Sequence, residues 1–215
     1  MAQTSSPTHA APEATRRDFL YIATAAVGAV GAVATLIPLI DQMNPDAATL
    51  AAGGPVELDL SKVAPGQQVQ IRWRNRPIFV INRTPAALKM LQSKELVERL
   101  SDPQSEAHQQ PTYAQNWHRS IKPEYCILVG ICTHLGCIPS FFPEPSKTTP
   151  VADWLGGYFC PCHGSKYDLS GRVYSGVPAP YNLPVPPYMY VNDKKIRVGE
   201  NPKGEHFNFG TIIQI

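Results

Sequence analysis

Two short segments carry residue types that can bind a metal: Cys132-Thr133-His134-Leu135-Gly136-Cys137 and Cys160-Pro161-Cys162-His163-Gly164-Ser165. Each holds a Cys and a His at close spacing, Cys132 with His134 and Cys160 with His163, and each holds one further Cys. A Cys-x-His or Cys-x-x-His pair can clamp a metal from one tight turn. The 22 residues between Cys137 and Cys160 let the chain return so that the two turns face each other. Two thiolates and two imidazoles then make a four-ligand site, and the remaining two cysteines suggest a disulfide between the loops.

A structural zinc ion accepts the same four ligands. Usual zinc-finger spacing, however, puts both cysteines in one arm and both histidines in the other. Mixed arms suit a dinuclear iron-sulfur cluster with Cys on one iron and His on the other. Charge shows what the mixture does. Two ferric ions, two sulfides and two thiolates sum to zero with neutral imidazoles, whereas an all-cysteine cluster sums to minus two and resists a further electron. Mixed clusters of this kind have potentials of about −150 to +300 mV, against about −400 mV for plant-type ferredoxins. An imidazole on iron can also lose its outer N–H proton, so an electron and a proton can be taken up together. That suits a quinol donor.

As they stand, both segments resemble those of the Rieske iron-sulfur subunits of ubiquinol–cytochrome c oxidoreductases, the cytochrome bc complexes. The resemblance implies one 2Fe-2S cluster of Rieske type, with Cys132 and Cys160 on one iron and His134 and His163 on the other. It implies a Cys137–Cys162 disulfide, which Rieske ferredoxins and ring dioxygenases typically lack. Ser165 and Tyr167 fall where the family has hydroxyls bonded to a bridging sulfide and a ligand thiolate, and such bonds raise the potential. Leu135 falls where the family covers the cluster at its docking tip. Gly176-Val177-Pro178-Ala179-Pro180 is similar to the family's proline loop, with Gly176, Pro178 and Pro180 as its marks and Val177 set between the first two.

His163 is thereby the catalytic candidate, meeting a ubiquinol-type quinol at the outer quinol site. One electron would pass to a c-type cytochrome and the other to cytochrome b, contributing to proton-motive force within a dimeric complex. The chain would be a carrier inside an enzyme, not a complete enzyme. Two alternatives stand: the Rieske subunit of a soluble periplasmic oxidase such as arsenite oxidase, and a zinc-stabilised binding module.

Those loops need an address and a scaffold. Residues 1–14 are rich in Ser, Thr, Ala and Pro and cannot build a core. Thr15-Arg16-Arg17-Asp18-Phe19-Leu20 matches a twin-arginine export signal. Phe19 to Ile40 is uncharged over 22 residues, about 33 Å as a helix and enough to span a bilayer. The arginine pair predicts a cytoplasmic amino terminus and a periplasmic cluster domain on the bacterial inner membrane, where a disulfide is permitted. The expected division is a tail (1–18), a transmembrane anchor (19–40), a hinge (41–54) and a Rieske domain (55–215). Within the anchor, Pro38 predicts a kink or an end.

In the last of these, Val56–Leu60, Gln68–Trp73, Ile78–Asn82, Ile127–Gly130, Tyr158–Phe159, Tyr188–Val191 and Lys195–Val198 read as strands. Arg74 to Pro77 reads as a hairpin turn, and Ala86–Leu100 has helical spacing at Leu88, Leu91, Leu96 and Leu100. The predicted class is mainly β: a small antiparallel Rieske-type domain with a cluster-binding tip and one side helix, plus one N-terminal transmembrane helix. Cys126 reads as a buried small hydrophobe, and His9, His108, His118 and His206 as surface or loop residues. A formal net charge of +2 does not point to nucleic acid, and there is no Gly-rich phosphate loop or nucleophile triad. Ile138–Leu155 and the tail from Gly199 to Ile215 carry no specific assignment.

Overall fold

The structure, a computed structural model, describes residues 15–214, with the backbone alone for residues 50–52. The coreless stretch 1–14 lies outside the described residues. The chain divides into two units, Met1–Leu50 and Ala51–Ile215.

The first unit is built on α1 (Arg16–Asp41), 26 residues and about 39 Å long. Thr15 and Asp18 close its start as a capping box: Thr15 Oγ1 accepts the Asp18 N–H (3.3 Å) and the Asp18 carboxylate accepts the Thr15 N–H (2.9 Å). The arginine pair thus forms the helix's first turn. No α1 residue is buried, and the helix is long and apolar enough to cross a membrane. It runs through Pro38 to Asp41 and does not end there. A short helix, α2 (Ala47–Ala52), follows across the unit boundary.

The second unit contains nine strands in three antiparallel three-stranded sheets among the described residues. β1 (Val56–Asp59) is followed by β2 (Gln68–Trp73) and β3 (Arg76–Asn82). The β2–β3 turn is only Arg74-Asn75, both at positive φ (46° and 60°), a two-residue hairpin whose twist matches its strands. The expected four-residue turn is corrected: Arg76 and Pro77 already pair with Trp73 and Arg72. The expected side helix is corrected as well. It is two helices, α3 (Pro85–Leu91) and α4 (Lys94–Val97). Ser93 breaks it, its side chain accepting the Leu96 N–H (3.3 Å) as a new N-cap, and Leu100 bridges to Tyr174 as extended chain.

β4 (Tyr125–Val129) pairs with β3, and both carry continuous buried runs, Ile78 to Ile81 and Cys126 to Val129. Such runs mark a sheet covered on both faces. β5 (Ser140–Phe142), β6 (Gly157–Phe159) and β7 (Lys166–Tyr167) form a second sheet. Phe79 of β3 stacks on Tyr158 of β6, centroids 5.5 Å apart, worth about 0.5–1.5 kcal/mol beyond its buried area. β8 (Tyr188–Asn192) and β9 (Lys195–Val198) complete the third sheet with β1, Val56 opposing Val198. Cys126 is fully buried, as expected. His118 is half-buried and not simply a surface residue: its ring lies 2.9 Å from the Ser120 hydroxyl. Burial and the nearby Arg83 lower its pKa from 6.5 to about 4.

Candidate metal centre

β4 delivers the first motif and the β6–β7 connection carries the second, so two neighbouring sheets each contribute one loop. The loops share one backbone pattern. In the first, the Cys132 N–H donates to Cys137 O (2.7 Å) and the Gly136 N–H to Cys132 O (3.0 Å). In the second, the Cys160 N–H donates to Ser165 O (2.8 Å) and the Gly164 N–H to Cys160 O (2.9 Å). Gly136 and Gly164 have φ of +83° and +78°, a conformation that side chains with a Cβ rarely adopt. Each turn therefore needs its glycine, four residues after its Cys.

The turns bring the predicted groups together. The His134 and His163 rings meet edge to face with centroids 4.7 Å apart. Cys132 and Cys160 are buried free thiols, and Cys137 and Cys162 form a disulfide. The sulfurs of Cys137, Cys160 and Cys162 lie within 4.8 Å of one another. Burial pushes the Cys160 thiol up, while the N–H groups of Cys162 and His163 pull it down. His134 is half-buried, and its Nδ1 is enclosed without a hydrogen-bond partner. His163 is exposed, as is Leu135, at 72% of its surface.

Hydroxyls line the far side. The Tyr167 O–H donates to Cys132 Sγ (3.2 Å), and burial first, then that bond, pushes its pKa up. Ser165 Oγ accepts the Ala179 N–H (3.1 Å), so the second loop holds the Gly176–Pro180 segment. In that segment Ala179 is buried, Gly176, Pro178 and Pro180 are exposed, and Val177 packs against the core.

Residues 7–46 match the family model described as the ubiquitinol-cytochrome C reductase Fe-S subunit TAT signal, and residues 56–187 match the Rieske [2Fe-2S] domain. The ubiquinol-cytochrome c reductase iron-sulfur subunit of Allochromatium vinosum is 50% identical over 186 residues, covering 86% of this chain and 89% of the relative. That of Blastochloris viridis is 52% identical over 192 residues, covering 87% and 94%. That of Bradyrhizobium diazoefficiens is 46% identical over 185 residues, covering 86% and 94%.

The chain belongs to the Rieske iron-sulfur subunits of ubiquinol–cytochrome c reductase. Members are electron-transfer components of a cytochrome bc complex, and this Rieske chain carries the family's 2Fe-2S cluster, its twin-arginine signal and an apolar helix that fits a single-pass anchor. Cytochromes are its partners within that complex. The residues present fit the cluster. Across the two loops Cys132 lies beside Cys160 and His134 beside His163, and the enclosed, unpartnered Nδ1 of His134 is the mark of a polar atom awaiting a ligand.

Three supports fall outside the residues singled out from the sequence. Thr133 is fully buried; its N–H donates to Tyr167 Oη (3.1 Å) and its hydroxyl to Tyr181 O (2.6 Å). Thr133 Oγ1 also lies 3.2 Å from Tyr167 Oη, so with the Thr133 proton on Tyr181 O the one Tyr167 proton is shared between Cys132 Sγ and Thr133 Oγ1. Asp168 and Arg172 form a buried ion pair (2.6 Å) that closes the turn after Tyr167, and breaking such a pair typically costs about 3–5 kcal/mol. Arg119, fully buried, donates to the carbonyls of Ser170, Gly171 and Leu183; burial lowers its pKa to about 10.

Proposed function

We propose that Cys132 and Cys160 bind one iron, that His134 and His163 bind the other, and that His163 takes the quinol proton. The asymmetry of the imidazole pair carries this: His134 is half-buried with Nδ1 enclosed, while His163 beside it is exposed. When bound, the 2Fe-2S cluster supplies a one-electron acceptor for quinol and a donor to a c-type cytochrome. The outer ring nitrogen of His163, deprotonated, accepts a hydrogen bond from a quinol hydroxyl at the outer quinol site and then its proton. Leu135 and Ile138, both exposed apolar residues on the first loop, exclude water when this tip docks on cytochrome b.

Tyr167 holds its proton against Cys132 and so favours the electron-rich state. Tyr167→Phe should retain the cluster and lower its midpoint potential by tens of millivolts. A hydrogen bond to a charged acceptor is worth about 1.5–3 kcal/mol, only part of which differs between oxidation states. An unchanged potential in a redox titration would show that the hydroxyl does not act on this thiolate.

The export signal and α1 support a tail at 1–18, an anchor at 19–40 in the bilayer of the bacterial inner membrane, and a periplasmic Rieske domain at 55–215. Residues 41–54 then act as a hinge between quinol and cytochrome sites in a dimeric complex. Redox-titrated EPR of carbonate-washed membranes tests the assignment. The expected result is a two-iron signal at high potential with hyperfine coupling to two imidazole nitrogens. One zinc with no such signal, or coupling to fewer than two imidazoles, would overturn it.

A further inference from the structure

The carboxy-terminal tail reaches the first metal loop, although it lies beyond the matched Rieske span of residues 56–187. Phe209 is buried and packs edge to face on Trp73, centroids 5.3 Å apart. Five residues on, the Gln214 side-chain amide donates to Thr133 O and, at 3.4 Å, to His134 O. Among the described residues no other group donates to either carbonyl. One NH2 thus satisfies the two backbone acceptors that flank the His134 peptide.

Gln214 is itself clasped. Gln109, fully buried, donates to Gln214 O (2.8 Å) and Asn182 O (3.1 Å). Its carbonyl oxygen accepts the N–H groups of Ile213 (3.0 Å) and Gln214 (3.2 Å). A side-chain amide has two donors and two acceptor sites, and Gln109 uses all four. Asn182 follows the proline segment, so one buried amide ties that segment to the tail and the tail to the metal loop. A full set of bonds of this kind fixes geometry more tightly than any one of its bonds.

We propose that Gln214 is a positioning residue for the His134 loop, setting the orientation of its peptides and thereby the potential of the metal centre. The proposal rests on His134 and Cys132 being ligands. Two effects follow, one on the potential and one on retention of the cluster. The amide hydrogens offset the negative ends of the Thr133 and His134 carbonyl dipoles, which favours an added electron nearby. They also keep water from those carbonyls and hold the loop closed over the site.

The test uses the full chain in its membranes, with Gln214→Ala and Gln214→Glu. The alanine variant should lower the midpoint potential and speed thermal loss of the cluster's visible absorbance several-fold. The glutamate variant should do both to a greater extent, because it sets an acceptor and a negative charge against two acceptors. Wild-type potentials, g-values and loss rates in both variants would overturn the role of Gln214 while leaving the ligand assignment intact. Wild-type membranes without a two-iron EPR signal would overturn the ligand assignment and this role with it.

Discussion

Cys160→Ala should abolish the two-iron EPR signal and reduce quinol–cytochrome c activity to background, whereas Cys126→Ala should keep both. The three free cysteines are all buried, so burial alone does not distinguish them. Their surroundings do. Cys126 lies within β4 opposite Ile81, its sulfur 4.0 Å from the Arg119 carbonyl; burial raises its pKa, as it raises that of Cys160. Cys160 heads a turn whose peptide N–H groups face its sulfur, and it stands beside the disulfide at the tip. Alanine is the informative replacement because a serine oxygen can itself bind iron. The comparison is made at equal chain content in the membranes, by quantitative EPR together with iron and sulfide analysis. A surviving signal in Cys160→Ala, or a lost one in a stably accumulated Cys126→Ala, would sink the ligand assignment.

The contrast between these cysteines shows what could be read from sequence. Ligand types and spacings are local, so both motifs were legible within six residues each. Strands β3 and β4 were legible because a sheet buried on both faces leaves an unbroken apolar run. The side helix was not, because Leu88, Leu91, Leu96 and Leu100 keep helical spacing across the break at Ser93. There a local cap competes with the hydrophobic pattern, and periodicity cannot weigh one against the other. β1 pairs with β9 from the opposite end of the domain, which no window of sequence contains.

The supports of the site were hidden for the same reason. Thr133 acquires its meaning from Tyr167 and Tyr181, 34 and 48 residues away. Gln214 acquires its meaning from Thr133 and Gln109, 81 and 105 residues away. Ile138–Leu155, without an assignment from sequence, supplies β5, which pairs with β6 and covers the strand leading to the second loop. Its Trp154 indole donates to Phe142 O (2.8 Å) and pins the segment back on itself.

Removing the disulfide should cost the domain's tip its alignment while leaving the three sheets and α1 intact. Each metal loop closes on itself through its own Cys and Gly hydrogen bonds, so neither needs the other to form its turn. They are joined at the tip by the Cys137–Cys162 bond, spanning 25 residues, and the contact between the two imidazoles, and behind it by Tyr167, which bonds Cys132 and Thr133. A cross-link over a loop of that length restricts the unfolded chain by about 3–4 kcal/mol on the chain-entropy model. A single replacement is ambiguous, since it leaves a free thiol in the three-sulfur group with Cys160 that can compete for iron. The double variant Cys137→Ala/Cys162→Ala avoids that competitor. In it the cluster should still assemble but be lost at least several-fold faster on warming, because the loops can part and admit water. Quinol oxidation should fall by about tenfold or more, which is a misalignment cost of only ~1.4 kcal/mol in the barrier. Circular dichroism of the sheets should be unchanged. Wild-type cluster retention and quinol oxidation in the double variant would show that the loops are aligned by the rest of the scaffold and that the disulfide is dispensable to the site.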